Sequence, residues 1–227
     1  MKYIGEELFL FQKAVRWKWY WSRIIKPYMH GDVLEVGAGI GANTRLFLDT
    51  DFQRWVCLEP DPELLREARA RVPSSRRHEF VAGTISDIKE KFDVVFYIDV
   101  LEHIKDDSHE MQRAAEHLKP GGTLIVLVPA HQWLYSPFDK AVGHVRRYTK
   151  RTLRDTAPPS LRLEKLIYLD SVGLLASIGN KLFLRQTMPT LAQIRAWDVL
   201  FVPISKQIDP LLGHRVGKSV LGIWSAP

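Results

Sequence analysis

Acidic residues and glycines are closely spaced near the start of the chain. Gly37, Gly39 and Gly41 follow a short apolar segment, and glycines at such a turn allow a ligand to touch the backbone. Glu35 stands two residues before the first glycine, and Glu59 ends the next apolar run, where an acid can bind two ribose hydroxyls. A buried strand, a glycine-rich turn and a helix begin a nucleotide-binding βαβ unit, so this pattern predicts a site for a nucleoside-containing ligand.

The charge of Glu35 favours one class of cofactor over another. A pyrophosphate would be repelled by a carboxylate beside the glycine turn, whereas S-adenosylmethionine (SAM) carries an ammonium and a sulfonium that a carboxylate attracts. Glu59 suits the ribose of SAM or of NAD and does not separate the two. The residues therefore favour SAM, and an NAD-dependent oxidoreductase is the more remote alternative.

A second group of reactive side chains lies in the long loop that ends near Tyr148. His144 could accept a proton from a hydroxyl, because an imidazole can change charge near neutral pH. Arg146 or Arg147 could bind a carboxylate or a phosphate through paired hydrogen bonds. The predicted catalytic residues are His144, Tyr148 and Arg146. In the alternative interpretation, Asp139 and the arginines only hold the loop against the core.

Four segments carry short patterns in a fixed order. Residues 35–41 read Glu-Val-Gly-Ala-Gly-Ile-Gly, residues 58–61 read Leu-Glu-Pro-Asp, residues 92–104 end in Asp-Val-Leu-Glu-His-Ile, and residues 118–122 read Leu-Lys-Pro-Gly-Gly. These patterns resemble the motifs of class I SAM-dependent methyltransferases of the small-molecule type. The loop with Gly143-His144 and Arg146-Arg147-Tyr148 is similar to that of one branch of them.

The resemblance covers about residues 31–130 and implies a Rossmann-like sheet with SAM as cofactor. No metal site is predicted. Many members carry an acid directly after the glycine of the third strand, for the adenine amine, but here Gly83 is followed by Thr84. Asp87 lies a turn later and could substitute. The cofactor contacts expected from the resemblance are Glu35, Gly37, Ala38, Gly39, Asn43, Glu59, Pro60, Thr84, Ile85, Asp99 and Val100, with Tyr20 added from the N-terminal segment.

Apolar runs alternate with helical patterns through the first 130 residues. Strands are expected at Val33–Val36, Trp55–Leu58, His78–Ala82, Phe92–Ile98 and Thr123–Val128, and helices at 41–49, 62–72 and 107–118. This alternation is typical of a doubly wound parallel α/β sheet.

The remaining chain completes the predicted seven-stranded sheet. Leu161–Leu169 is expected to be the sixth strand and 220–226 the antiparallel seventh, after a short helix at Thr152–Thr156. The insert between these strands has apolar segments at Val172–Phe183 and Leu191–Ile204, which predict packed helices. Such an insert would form a wall over a substrate pocket, a dimer face or a membrane-facing surface.

Residues 6–26 form a basic segment rich in aromatic side chains. Phe11, Ala14, Val15, Lys18, Trp21 and Ile25 fall on one helical stripe, so a single helix ending at Pro27 is expected. Three interpretations stay open: the helix covers the core, closes over the cofactor as a lid with Tyr20 in contact, or lies on a membrane surface.

Composition is that of one globular domain of 227 residues, with 46% hydrophobic and 26% charged residues. We expect a single unit with an N-terminal lid at 1–30, a SAM-binding core at 31–130 and a substrate side at 131–227. The core carries 12 basic and 18 acidic side chains, whereas residues 131–227 carry 14 and 6, which favours an anionic partner, a membrane surface or a solvated basic exterior. One cysteine, the lack of a leader pattern and the lack of a long apolar run favour a cytoplasmic protein, with peripheral membrane contact left open.

These observations predict SAM-dependent methyl transfer to a small or medium-sized acceptor, which could be anionic or lipid-like, and most readily to oxygen. N- or C-methylation and nucleic-acid methylation are the alternatives. Nucleic acid is disfavoured because the segment after the fourth strand reads Asp99-Val100-Leu101-Glu102 rather than the Asn/Asp-Pro-Pro-Tyr/Phe type of tetrad. The oligomeric state is not predicted.

Overall fold

The computed structural model describes residues 7–181 and 188–227, which fold around one seven-stranded sheet. The strand order is β3-β2-β1-β4-β5-β7-β6. Strands β1 to β5 run parallel, and β7 lies antiparallel between β5 and β6, so the predicted Rossmann-like sheet is confirmed. The strands are β1 (His30–Val36), β2 (Asp51–Glu59), β3 (His78–Ala82), β4 (Phe92–Ile98), β5 (Leu118–Pro129), β6 (Arg162–Leu169) and β7 (Ser219–Ser225).

Helices cover both faces of this sheet. Because successive strand side chains point to opposite faces, Val33 and Val94 join one apolar cluster while Leu34 and Val95 join the other. The first cluster packs against the N-terminal segment and the insert, and the second against α4 and α6. The α-helices are α1 (Glu7–Phe11), α2 (Val15–Ile25), α3 (Pro62–Arg71), α4 (Asp107–Glu116), α5 (Pro137–Ala141), α6 (Lys150–Thr156), α7 (Ser171–Gly179), α8 (Leu191–Ala196) and α9 (Val202–Leu211).

The N-terminal segment forms two helices, so the prediction of one continuous helix was wrong. The break lies at Ala14, whose backbone is not helical. Its cause is tertiary: the Asp198 carboxylate accepts hydrogen bonds from the backbone N–H groups of Arg16 (3.1 Å) and Trp17 (2.8 Å). A carboxylate at this end of α2 satisfies N–H groups that have no partner within the helix.

The glycine turn leads into a single turn of 3₁₀-helix at Thr44–Phe47, not into the helix expected at 41–49. Since β2 already begins at Asp51, the chain has room for little more than one turn. The Thr44 hydroxyl donates to Glu35 at 2.6 Å, and the Asn43 amide oxygen accepts from Lys18 at 2.8 Å. Both side chains are therefore engaged in tertiary bonds rather than in capping a helix.

Strand β5 begins earlier than expected, and the second helical segment of the insert ends later than expected. Leu118 already pairs with Phe92, and a register shift across the Pro120-Gly121-Gly122 segment precedes the pairing of Thr123 with Val94. In the insert, a π-helical turn at Trp197–Phe201 joins α8 to α9, so the second predicted helix extends to Leu211. The end of the first predicted insert helix, 182–183, lies outside the described residues, as do residues 1–6 of the predicted lid.

Candidate active site

A cavity of about 720 Å³ lies at the carboxyl edge of the sheet, where ligands bind in open α/β folds. Its floor is the glycine turn and the residues that follow β4 and β5, and its walls come from α2, the long loop and the insert. Five of the predicted cofactor residues line it. They are Gly37, Ala38, Gly39, Asn43 and Asp99.

The glycine turn is held by strand β2. The backbone N–H groups of Gly37 and Ala38 donate to the Leu58 carbonyl at 2.8 and 3.1 Å. Gly37 has φ of 71°, and a side chain there would also meet the Val100 methyl groups at 2.5 Å. Glycine is therefore required for both the backbone angle and the packing, and Val100 contacts the turn from the β4 side.

Glu59 lies beneath this turn, and its side chain is buried. Its two carboxylate oxygens accept hydrogen bonds from the backbone N–H groups of Gly39 and Asp61, each at 2.9 Å. Leu8 of α1 lies over the glycine turn, since a Cβ atom built at Gly39 would lie 3.6 Å from its side chain. A carboxylate oxygen has further lone pairs, so these bonds leave Glu59 able to accept from ribose hydroxyls.

The segment after β3 lies away from the cavity. Asp87 accepts hydrogen bonds from the backbone N–H (2.8 Å) and the hydroxyl (3.1 Å) of Thr84, which forms a capping box over a short 3₁₀ turn. Ile85 is buried in the second apolar cluster. Neither these residues nor Pro60 belongs to the cavity lining, so the adenine contact stays a prediction.

Glu35 is buried below the glycine turn rather than in the cavity. Oε2 accepts from the Thr44 hydroxyl (2.6 Å) and the Trp55 indole (2.9 Å), while Oε1 has no hydrogen-bond partner among the described residues. Burial raises the pKa of Glu35 to about 7, against the effect of these two donors and of Lys18. Burial therefore favours the neutral form of Glu35, which weakens the electrostatic argument against a pyrophosphate.

Opposite charges stand inside the cavity at Lys18 and Asp99. Lys18 donates to Asn43 at 2.8 Å, and burial lowers the pKa of its ammonium although Asp99 and Glu35 oppose this. Asp99 is exposed at the cavity, and Lys18 is the first of the cations whose charges favour its ionised form. Asp99 has φ of 55°, a left-handed backbone angle that aspartate tolerates better than most residues.

His144 of the long loop also lines the cavity, and a buried carboxylate holds its orientation. Nδ1 of His144 lies 2.9 Å from Oδ1 of Asp139, which is fully buried. Arg147 donates to both oxygens of Asp139, at 2.7 and 3.0 Å. Burial opposes ionisation of Asp139, but the hydrogen bonds from His144 and Arg147 prevail and lower its pKa to about 2. Asp139 is thus an anion that fixes the imidazole ring.

Arg146 and Tyr148, two of the predicted catalytic residues, lie outside the cavity lining. Both contact Asp107 of α4: Tyr148 donates its hydroxyl at 2.7 Å, and Arg146 forms an ion pair. Arg146 also donates to the Lys105 carbonyl at 2.6 Å, and burial is the main cause of the raised pKa of Tyr148. This geometry supports the alternative in which these two residues hold the loop in place.

Tyr20 is placed away from the cavity as well. Its side chain is buried, and its hydroxyl donates to Asp209 of α9 at 2.8 Å. Asp209 also accepts from the backbone N–H groups of Asp170 and Ser171, at 2.6 and 3.0 Å. Tyr20 therefore joins α2 to the insert, and the structure gives no support to a cofactor contact.

Comparisons with known proteins find methyltransferases. Residues 34–124 match the family model of the methyltransferase domain. The chain is 32% identical over 108 residues to trans-aconitate 2-methyltransferase of Deinococcus radiodurans, which is 47% of this chain and 40% of that protein. It is 28% identical over 106 residues to ubiquinone biosynthesis O-methyltransferase of Bradyrhizobium sp. (strain ORS 278). This match covers 44% of this chain and 41% of that protein. The matches thus span about two fifths of the length of these curated relatives.

A solved structure has the same fold. N-methyltransferase NodS from Bradyrhizobium japonicum WM9, in complex with S-adenosyl-L-homocysteine, matches with a TM-score of 0.61 at 15% identity, over 95% of this chain and 88% of that one. The family match, the order of the sequence motifs and the antiparallel seventh strand agree. Residues 34–124 thus match the methyltransferase domain family, and the fold is that of class I SAM-dependent methyltransferases. This similarity implies SAM as the cofactor.

Several residues of the cavity were not among the site residues predicted from the sequence. Lys18 had a usable signal, because it is a cation on the apolar stripe of its helix. Glu102 and His103 follow Asp99 closely in the chain and also line the cavity. Lys218 has no local signal: it reaches the cavity from before β7, with its ammonium 3.4 Å from the centre of the Trp197 ring.

Proposed function

We propose that this methyltransferase domain transfers a methyl group from SAM to a hydroxyl of a small or medium-sized acceptor with a largely apolar body. The observation that carries the proposal is that one cavity is lined by the glycine turn, by Asp99 and by His144. Cofactor-binding backbone and a candidate proton acceptor therefore share one space, as an in-line transfer requires.

The cavity residues fit the amino-acid end of SAM. That end carries a carboxylate and an ammonium, and the cavity offers Lys18 and Asp99, whose charges are complementary to them. Gly37 and Gly39 add backbone that a ligand can approach closely, and Glu59 lies at the end of β2 for the ribose. When bound, SAM supplies an electrophilic methyl group on a sulfonium that leaves readily.

The residues of the chain then have three tasks: to orient the acceptor, to exclude water and to remove a proton. His144 would take the hydroxyl proton on Nε2, because Asp139 engages Nδ1 and, as an anion, stabilises the imidazolium. Leu8 and Phe11 of α1 and Trp17 of α2 line the outer side of the cavity and would limit the entry of water. This arrangement supports the interpretation of the N-terminal segment as a lid.

The acceptor side of the cavity is mostly apolar. Arg147, the arginine of the loop that lines the cavity, uses two of its donors on Asp139, so the proposed acceptor is held by its apolar body rather than by an arginine clamp. The rings and aliphatic side chains that would contact such a body are Phe11, Leu134, Phe138, Ile194, Trp197 and Phe201.

The test is a screen of acceptors with the purified full chain and SAM, read by mass spectrometry as the gain of one methyl group. Apolar phenols and lipid-like hydroxyl compounds should be methylated, and His144→Gln should lose most of the turnover while retaining SAM binding. Methylation of amines alone would instead favour the N-methyltransferase alternative. Methylation of RNA or DNA alone would contradict the proposal.

A further inference from the structure

Three potential metal ligands meet in the cavity wall. Glu102 and His103 lie on the 3₁₀ turn that follows β4, and His144 comes from the long loop. One ligand atom from each of these side chains lies within 4.8 Å of the other two. Nε2 of His144 is 3.7 Å from Oε1 of Glu102, and the two imidazole ring centres are 4.7 Å apart.

Glu102 is a fully buried acid whose carboxylate has no hydrogen-bond partner in the described part of the chain. Its side chain is 0% exposed, yet both carboxylate oxygens lack a hydrogen-bond partner among the described residues. A buried carboxylate without a partner carries a large desolvation cost, so such groups are normally paired with a cation or bound to a metal. The backbone of Glu102 is well anchored, since its carbonyl accepts from the Val145 N–H at 2.8 Å.

His144 has the outer partner that metal-binding histidines usually have. Asp139 engages Nδ1 at 2.9 Å, and Asp139 is itself fixed by Arg147 and by a capping box with Ser136. A carboxylate in this position sets the tautomer that leaves Nε2 as the lone-pair nitrogen. That nitrogen is the one nearer Glu102.

The geometry points to a binding site for one divalent transition-metal ion on Glu102, His103 and His144, and we propose Zn²⁺ as its best ligand. Two imidazoles and one carboxylate with an open fourth position suit Zn²⁺, whereas Mg²⁺ prefers oxygen ligands. Zinc–ligand bonds of about 2.0–2.1 Å place neighbouring tetrahedral ligands roughly 3.3 Å apart. The 3.7 Å separation of Glu102 and His144 is close to this, and the widest separation, at most 4.8 Å, needs a shift of about 1.5 Å.

All three ligand residues line the cavity that is proposed to hold the acceptor. Nε2 of His144 cannot bind the ion and accept a proton at once, so the metal-bound form would replace the general-base role given above: the ion would polarise the acceptor hydroxyl, and water would take its proton. The oxygen would then form its bond to the methyl carbon as the carbon–sulfur bond of SAM breaks. This role rests on the proposed function, but metal binding itself does not.

Cobalt(II) provides a direct test, because its visible absorption reports tetrahedral coordination by nitrogen and oxygen. The chelator-treated full chain should bind one Co²⁺ per chain with such bands, and Zn²⁺ should displace it. Glu102→Gln keeps the shape of the side chain and should weaken Co²⁺ binding at least about 10-fold, as should His103→Gln. Asp139→Asn should weaken Co²⁺ binding about 10-fold or more, because His144 loses the carboxylate that orients it. His109→Gln, at an exposed histidine outside the cluster, is the matched control.

Equal Co²⁺ affinity in the wild type, Glu102→Gln and His103→Gln would overturn the proposal, as would the lack of binding. Thermal melting of each variant without metal shows whether a loss of binding reflects a loss of fold. Calorimetric titration with SAM, run with and without Zn²⁺, separates the two proposals. SAM binding without metal binding would contradict the metal site and keep the proposed function. Metal binding without SAM binding would contradict the proposed function and keep the metal site.

Discussion

Replacing Glu35 by glutamine should change the pH dependence of stability. Burial raises the pKa of this carboxyl from 4.5 to about 7 in the folded chain. The folded state therefore holds a proton that the unfolded chain has released between these values. The stability contributed by the protonated Glu35 carboxyl is fully present below pH 4.5 and is lost as pH rises through about 7.

The difference between a pKa of 4.5 and one of about 7 corresponds to a free energy of about 3 kcal/mol. Glu35→Gln keeps a neutral group at every pH, and its carbonyl oxygen can still accept from Thr44 and Trp55. The stability of the wild type minus that of Glu35→Gln should therefore fall by about 3 kcal/mol between pH 4.5 and pH 8.

Urea unfolding at several pH values, followed by circular dichroism, measures this difference. Histidines and other carboxyls titrate in both proteins, so their contributions largely cancel. Glu63→Gln, at an exposed site on α3, serves as the control for the loss of one carboxylate. A stability difference that does not change with pH for Glu35→Gln would refute the reasoning that burial holds the proton on this carboxyl.

Three further predictions concern the site. With the first acceptor identified, Asp139→Asn should lower kcat by about 100-fold or more, because His144 loses its anionic partner. Arg146→Gln should change kcat little, and equal losses of kcat in the two variants would contradict these roles. Lys18→Met should weaken SAM binding about 10-fold in calorimetry through the lost ion pair, and unchanged affinity would remove Lys18 from the cofactor site. The lid interpretation predicts that the chain does not float with anionic vesicles; flotation that Trp19→Ser abolishes would instead support membrane contact.

The membrane question concerns surface residues as well as helix length. Among residues 7–181 and 188–227, no helix is long and apolar enough to cross a bilayer. Trp19 on α2 and Leu175 on α7 are nevertheless 55% and 66% exposed. The flotation assay is therefore informative even though a spanning segment is not found in the described part of the chain.

The sheet could be predicted because its strands are nearly continuous apolar runs. A run such as Phe92–Ile98 is buried on both faces, and this pattern is typical of a central parallel strand. The order of motifs then located the glycine turn and Asp99 at the ligand edge. These features depend on local sequence, which is why they were accessible.

The errors concern side chains whose partners lie far away in sequence. The break before α2 depends on Asp198, which is 181 residues from Trp17. Nothing near Ala14 indicates it. Likewise, Arg146 and Arg147 are adjacent and chemically alike, but the first pairs with Asp107 and the second with Asp139.

The placement of that loop is set by backbone pairing beyond β5. The Tyr148 N–H donates to the Pro129 carbonyl at 2.9 Å, and the His131 N–H donates to the Tyr148 carbonyl at 2.6 Å. This pairing orients the segment so that Arg147 rather than Arg146 reaches the cavity. The sequence alone contains no equivalent information about the register.

The central claim is that SAM binds with its amino-acid end between Lys18 and Asp99, next to His144. Calorimetric titration of SAM against the wild type and Asp99→Asn tests it most directly, because asparagine tolerates the left-handed backbone at this position and removes only the charge. We predict one SAM per wild-type chain, no binding of NAD, and about 10-fold weaker SAM binding in the variant. Equal affinity of the two proteins for SAM, or no binding by the wild type, would contradict the account.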